Sequence, residues 1–152
     1  MPPSRFRGDT LLLTPSTPDE PSPQVLFGTT RGSTTADRGY LSFSALDADG
    51  LFSDREEHYE MPTSGGRAHA IDLLSKSLPS AAAKAGVWIV MTDDDDHAAS
   101  AEGGNGVRIL EWDGWDTGGV KEVGGWPGLG DRMVWQTENN NMLGGSHAIW
   151  LD

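Results

Sequence analysis

The chain contains no cysteine in its 152 residues. That excludes a disulfide framework, a thiolate-ligated zinc site and a thiol nucleophile. Basic residues are scarce: Lys and Arg number 11 against 23 Asp and Glu, a formal net charge of −12. A phosphate-backbone binder needs a basic face, so nucleic acid is an unsuitable partner. An anionic membrane surface is excluded by the same charge. No run approaches the ~20 apolar residues of a membrane span. The opening MPPSRFRGDTLLL has no long apolar stretch behind its basic residues, so no secretory signal is read, and the expectation is cytoplasmic. Neither a Gly-x-Ser-x-Gly elbow nor a phosphate loop is present; the glycine pairs at Gly65 and Gly144 are not followed by Lys-Ser/Thr.

The chain is rich in turn formers, with 20 glycines and 9 prolines. That favours many short strands over long helices, and an all-β class. Residues 15–23, PSTPDEPSP, read as loop because proline fixes φ and donates no ladder hydrogen bond. From Val25 the pattern becomes strand-like. VLFGTT ends at Arg31-Gly32, and YLSFSAL runs into the hairpin signal DADG. EEHYEMP is an exposed outer strand, and SGGRAHAIDLL returns to apolar residues. GVWIVMT, VRILEWDGW, GGVKEVGGW and the terminal LGGSHAIWLD repeat this order. A helix over Ala68 to Lys84 is the competing reading there, interrupted by Pro79, and strand-then-loop is favoured with a short helical turn near Ser80 to Lys84 left open.

Aligning the copies sets GGRAHAID against GGSHAIWLD, and VLFGTTRG against VWIVMTDD with Thr30 on Thr92. FRGDTLLLT is a third, degraded version of the strand that follows the glycine pair. A repeated unit of four short strands is the mark of a β-propeller blade. The expectation is about two four-stranded blades plus a closing strand. Residues 1–24 would hold a partial first strand and the proline-rich loop, and residues 25–152 one incomplete domain. Two blades cannot close a ring of ~4–8. The chain is therefore expected to be the C-terminal part of a longer propeller, with exposed blade flanks through which copies could associate.

Antiparallel strand order brings four segments to one rim. These are the loop from Arg31-Gly32, the Gly65-Gly66-Arg67-His69 crossing, the loop from Asp93-Asp94, and the Gly144 to His147 crossing. Such convergence suits a shared site. Arg31 is the leading candidate: a planar guanidinium holds a carboxylate through two parallel hydrogen bonds. Its alternative role is an ion pair with Asp93 or Asp37 that ties blades together. Arg67, His69 and His147 are candidates for substrate binding. Histidine suits proton transfer near neutrality, but a histidine repeated in successive blades also suits a structural bond between strands. Arg67 reads equally as a solvated loop residue. Asp93 to Asp96 is favoured as a solvated acidic turn over a calcium loop, since successive aspartates lack the alternate spacing and the glycine. Trp88, Trp112, Trp126 and Trp150 read as packing between blades.

The ordered set TTRG, PTSGG, TDD, LEWDG and HAIWLD resembles the C-terminal portion of fungal 3-carboxy-cis,cis-muconate lactonizing enzymes. Those are seven-bladed propellers related to the propeller-type 6-phosphogluconolactonases. The resemblance implies a partial seven-bladed propeller and a cofactor-free cycloisomerisation in the β-ketoadipate route, with no metal. One carboxylate of a tricarboxylic diene adds across a double bond to close a lactone, and a general acid protonates the neighbouring carbon. Arg31 corresponds to an arginine of that family's channel. The family's histidine, glutamate and second arginine have no counterpart in this chain, so the isolated chain is expected to be inactive. A lactone hydrolase on the same fold, or a non-catalytic interaction module, are the alternatives.

Overall fold

The computed structural model describes residues 6–16, 24–34, 36–65, 70–76, 86–93, 106–126 and 148–151. Among them there is no helix, and hence none long and apolar enough to cross a membrane. Eight strands form two antiparallel four-stranded sheets. The first holds β1 (Phe6–Leu13), β2 (Val25–Gly32), β3 (Tyr40–Leu46) and β4 (Phe52–Glu60), paired in that order. The second holds β5 (Ile71–Ser75), β6 (Val87–Asp93), β7 (Gly106–Trp112) and β8 (Val120–Trp126), again in order. The degraded N-terminal copy FRGDTLLL is thus a full strand of the first sheet, with Leu12 opposite Phe27 and Arg7 opposite Arg31.

Local chemistry explains the turns. Asp47 Oδ1 accepts the N–H groups of Asp49 and Leu51, both at 2.9 Å, and Gly50 takes φ +77°. An Asx turn of this kind fixes the β3–β4 hairpin, and glycine adopts positive φ without steric cost. After β7 the chain turns with Gly114, Asp116, Gly118 and Gly119 all at positive φ. The outermost strand of the first sheet, FSDREEHYE, is mostly exposed and carries a run of charges. Charges on an unpaired edge discourage pairing with another chain.

The core lies between the sheets. Val25, Phe27, Leu41 and Phe43 of the first sheet meet Ile71, Val87, Ile89, Met91, Leu110 and Trp112 of the second. Trp112 is the centre of this contact. Its ring stacks on Phe43 at 5.6 Å and meets Phe27 edge-on at 5.6 Å, and Phe27 meets Phe43 edge-on at 5.0 Å. Each fully buried side chain of this size contributes ~1.5–3 kcal/mol through burial, and offset or edge-on rings add ~0.5–1.5 kcal/mol per pair. Trp115 extends the aromatic row at 5.3 Å, and the Arg55 guanidinium of β4 sits 4.8 Å over it.

The two sheets use opposite faces. Thr29 Oγ1 on β2 accepts the N–H of Thr10 at 3.0 Å, and Thr92 Oγ1 on β6 accepts the N–H of Ala70 at 3.1 Å. These threonines do the same job, so Thr29, not Thr30, is the structural counterpart of Thr92. The alignment of Thr30 with Thr92 is off by one, because an ungapped match of the two strands ignores their different lengths before the loop. Side chains alternate across a strand, so one residue exchanges the faces. Sheet one packs through the face that bears Thr29, alongside Val25 and Phe27. Sheet two packs through Val87, Ile89 and Met91, the face opposite Thr92. Equivalent strands meeting through unlike faces is the geometry of repeated units stacked in one sense. A sandwich with a two-fold axis would use like faces.

Of the terminal SHAIWLD, expected as a closing strand, Ala148 to Leu151 are among the described residues. They carry no strand pairing. Their contact is Trp150 N–H donating to Asp72 Oδ2 at 2.9 Å, on the outer face of sheet two. One bond to a side chain does not make a ladder, which needs successive backbone partners.

Candidate functional site

Strand register decides what meets at the rim. Thr30 pairs with Tyr40, Tyr40 with Glu60, Ile71 with Met91, and Asp93 with Gly106. The end of β2, the segment after β4, the start of β5 and the end of β6 therefore share one end of the sheets. Backbone bonds pin this end together. Gly32 N–H donates to Ser64 O at 2.8 Å, Gly39 N–H to Thr63 O at 2.8 Å, and Met61 N–H to Gly39 O at 2.9 Å. Gly32 is required here, since a Cβ would lie 1.8 Å from Asp37 O.

Inside this rim sits a buried polar group that bridges the sheets. Asp93 is fully buried, Thr63 and Ser64 nearly so, and Arg108 is 5% exposed. Thr63 Oγ1 donates to Asp93 Oδ2 and accepts the N–H of Gly65 at 3.1 Å. Arg108 Nη1 donates to both oxygens of Glu122, at 3.0 and 2.9 Å, while its Nε lies 4.0 Å from Asp93 Oδ2. Burial pushes the Tyr59 hydroxyl above its ordinary value; the Glu122 charge adds to this and Arg108 opposes it. Asp93 is buried rather than part of a solvated acidic turn. Period-two alternation sets it on the inner face beside Met91 and Ile89, and Thr63 and Arg108 offset the cost of its desolvation. Arg108 thus links Asp93 and Glu122 within the second sheet, and the Thr63 bond to Asp93 ties that group to the segment that follows β4.

Arg31 stands at the same end on β2. It shares the inward face of Val25, Phe27 and Thr29, and is half-buried. Arg7 of β1 lies directly opposite it in the ladder and is exposed. Like charges facing one another across strands destabilise a sheet, with Cβ atoms ~4.5–5.5 Å apart. Two arginines that leave the sheet from facing ladder positions can both offer a guanidinium to one carboxylate or polycarboxylate. Arg7 was not singled out in the sequence. Its signal is available only after β1 is registered against β2, across a bulge between Gly8 and Leu11. Arg67, His69 and His147 lie outside the described residues, as do Asp94 to Asp96 and the Gly144 crossing. Among the described residues no cluster of three His, Asp or Glu side chains could hold a metal ion.

A second polar cluster lies on the opposite side of sheet two. Lys76 Nζ bonds Glu111 and Asp113, and stands 4.3 Å over the Trp88 ring. Burial alone would lower its affinity for a proton, but the hydrogen bonds to Asp113 and Glu111 outweigh that and the lysine is held above its ordinary value. The Asp113 carboxyl is held below its ordinary value, chiefly by its bond to Lys76. Trp88 therefore serves an ion cluster rather than the contact between the two sheets.

The fold and rim define a class: an all-β chain of two like four-stranded sheets stacked in one sense, with an arginine pair at one end. No family profile matches this chain, and no curated protein matches it significantly.

Proposed function

We propose that the chain is a two-blade unit of a β-propeller whose rim binds a polycarboxylate through Arg31 and Arg7. The observation that carries this reading is the direct cross-strand opposition of the two arginines, at the end where Thr63 bonds Asp93 of the second sheet. In the cycloisomerase that the sequence resembles, the ligand is 3-carboxy-cis,cis-muconate. Arg31 would hold one carboxylate by paired hydrogen bonds and balance the charge that builds beside the reacting carbon as the lactone closes. Arg7 would hold a second carboxylate of the same ligand. The histidine, glutamate and second arginine of the family that the sequence resembles have no counterpart in this chain, so the proposal is that the isolated chain binds without turning over.

Titration calorimetry of the purified chain with 3-carboxy-cis,cis-muconate tests this, with loss of diene absorbance as the turnover readout. Binding should weaken at least ~10-fold in Arg31→Ala and in Arg7→Ala, and fall with added salt as charge pairs are screened. Equal affinity of the wild type and both variants would refute the arginine seat. Tighter binding of 6-phosphogluconate than of the muconate would shift the reading to a lactone hydrolase.

A further inference from the structure

We infer that Thr34 is a positioning residue for the carboxylate seat: acting through Asp37 and Gly32, it fixes the direction in which Arg31 leaves β2, without touching the ligand itself. The inference rests on the arginine-pair reading given above. Thr34 Oγ1 donates to Asp37 Oδ2 at 3.0 Å, and the Asp37 N–H returns a bond to Thr34 O at 3.1 Å. The turn between β2 and β3 is thus closed twice, once by a side chain and once by backbone. Asp37 is 9% exposed, and its carbonyl stands against Gly32, where a Cβ would lie 1.8 Å from it. On its other side Gly32 donates its N–H to Ser64 O at 2.8 Å. Gly32 is held between these two carbonyls, and Arg31 is its neighbour in the chain.

The far leg of the turn is anchored as well. Gly39 N–H donates to Thr63 O at 2.8 Å, and Met61 N–H donates to Gly39 O at 2.9 Å. With both legs tied to the segment after β4, the Thr34–Asp37 pair sets how the turn closes between them. The Gly32, Gly39 and Met61 bonds run from backbone to backbone, so they survive a change of side chain. The Thr34 hydroxyl bond does not. Thr34 is exposed while Asp37, Thr63 and Ser64 are buried, so its side chain can be altered without disturbing packing. Its φ is not positive, so valine meets no backbone strain there.

Direction matters because of what a guanidinium is. Its two parallel bonds to a carboxylate require the planar fork and the ligand to be aligned, and hydrogen bonds weaken steeply as they bend. Arg7 is exposed and can follow the ligand, whereas Arg31 is half-buried and takes its aim from the backbone at the end of β2. A lysine at the same place is a compact charge on a flexible stem and needs no such alignment. Removing the Thr34 hydroxyl should therefore weaken ligand binding by ~3–10-fold, in the lower part of the range for coupled neighbours, and only while an arginine stands at position 31.

The experiment is calorimetry with 3-carboxy-cis,cis-muconate on the full chain as wild type, Thr34→Val, Arg31→Lys and the double variant. Near-ultraviolet circular dichroism checks that each is folded, and Thr34→Ala replaces Thr34→Val if that variant unfolds. Thr34→Val should bind ~3–10-fold more weakly than wild type, Thr34→Ser should bind as wild type does, and Thr34→Val should change nothing once Arg31 is lysine. A hydroxyl that only braces the fold would lower the urea midpoint and leave the affinity of the folded protein alone, or would weaken binding equally in both backgrounds; either result overturns the inference. If the wild type binds and Thr34→Val binds as tightly, the arginine seat stands and the role of Thr34 falls. If the wild type does not bind the muconate, the seat and the role of Thr34 fall together.

Discussion

Trp112→Ala is the sharpest test of how the two sheets are held together. The indole is 1% exposed and touches Phe27, Phe43 and Trp115 across and beside the sheet interface. Removing a buried aromatic down to alanine costs about 3–5 kcal/mol, the transfer of its surface plus the cavity left behind. The lost stacking on Phe43 belongs to that total and is separable as a coupling of about 0.5–1.5 kcal/mol. Domains are stable by only ~5–15 kcal/mol, so the variant should keep at best about four-fifths of its stability and at the low end almost none. In urea, with a slope of ~1.5 kcal/mol/M, a loss of about 4 kcal/mol moves the midpoint down by about 2.7 M. Far-ultraviolet circular dichroism follows the transition in the wild type, Trp112→Ala, Phe43→Ala and the double variant. A midpoint shift under ~0.5 M, or a double-variant cycle with no coupling, would refute the claim that the sheets close on this residue.

Other outcomes follow from the same geometry. Thr29→Val and Thr92→Val should each lose about 1–3 kcal/mol in urea unfolding, since each leaves a strand N–H without its acceptor, whereas Thr30→Val should stay within about 0.5 kcal/mol. The reverse order would restore the alignment of Thr30 with Thr92. Lys76→Met should flatten the pH dependence of stability at both ends. The raised lysine contributes stability that is present below its unfolded value and lost as pH climbs through the folded one. The lowered Asp113 contributes stability that is present above its unfolded value and lost as pH falls through the folded one. Urea midpoints across the acid, neutral and alkaline range should therefore separate wild type from variant most in the middle; a constant gap at every pH would argue against the ion cluster.

Much of the architecture was legible in the residues. The apolar runs VLFGTT and YLSFSAL and the hairpin signal DADG form the strands and turn expected, and EEHYE lies in the exposed outer strand expected there, which starts earlier, at Phe52. The order of four strands, repeated, was equally readable. What could not be read was relative register. A string match of β2 to β6 tolerates a slip of one, while the fold does not, because a slip exchanges buried and outer faces. The same blindness hid Arg7, whose neighbour in space is 24 positions away in sequence and is fixed only by hydrogen bonding between β1 and β2. It also placed Asp93 in water, although strand parity turns it inward to Thr63 and Arg108. The closing strand was read from the match of GGSHAIWLD to GGRAHAID; a sequence match supplies no hydrogen-bonding partner, and Ala148 to Leu151 have none among the described residues.

Gly32 carries a consequence for how this rim can change over time. Its α-carbon sits against the carbonyl of Asp37 with no room for even a methyl group, and its N–H is committed to Ser64. A deep mutational map should show a blank column at 32 between permissive neighbours. Arg31 hangs one bond away from that immovable point, so its reach is inherited from the one spot in the loop that variation cannot explore.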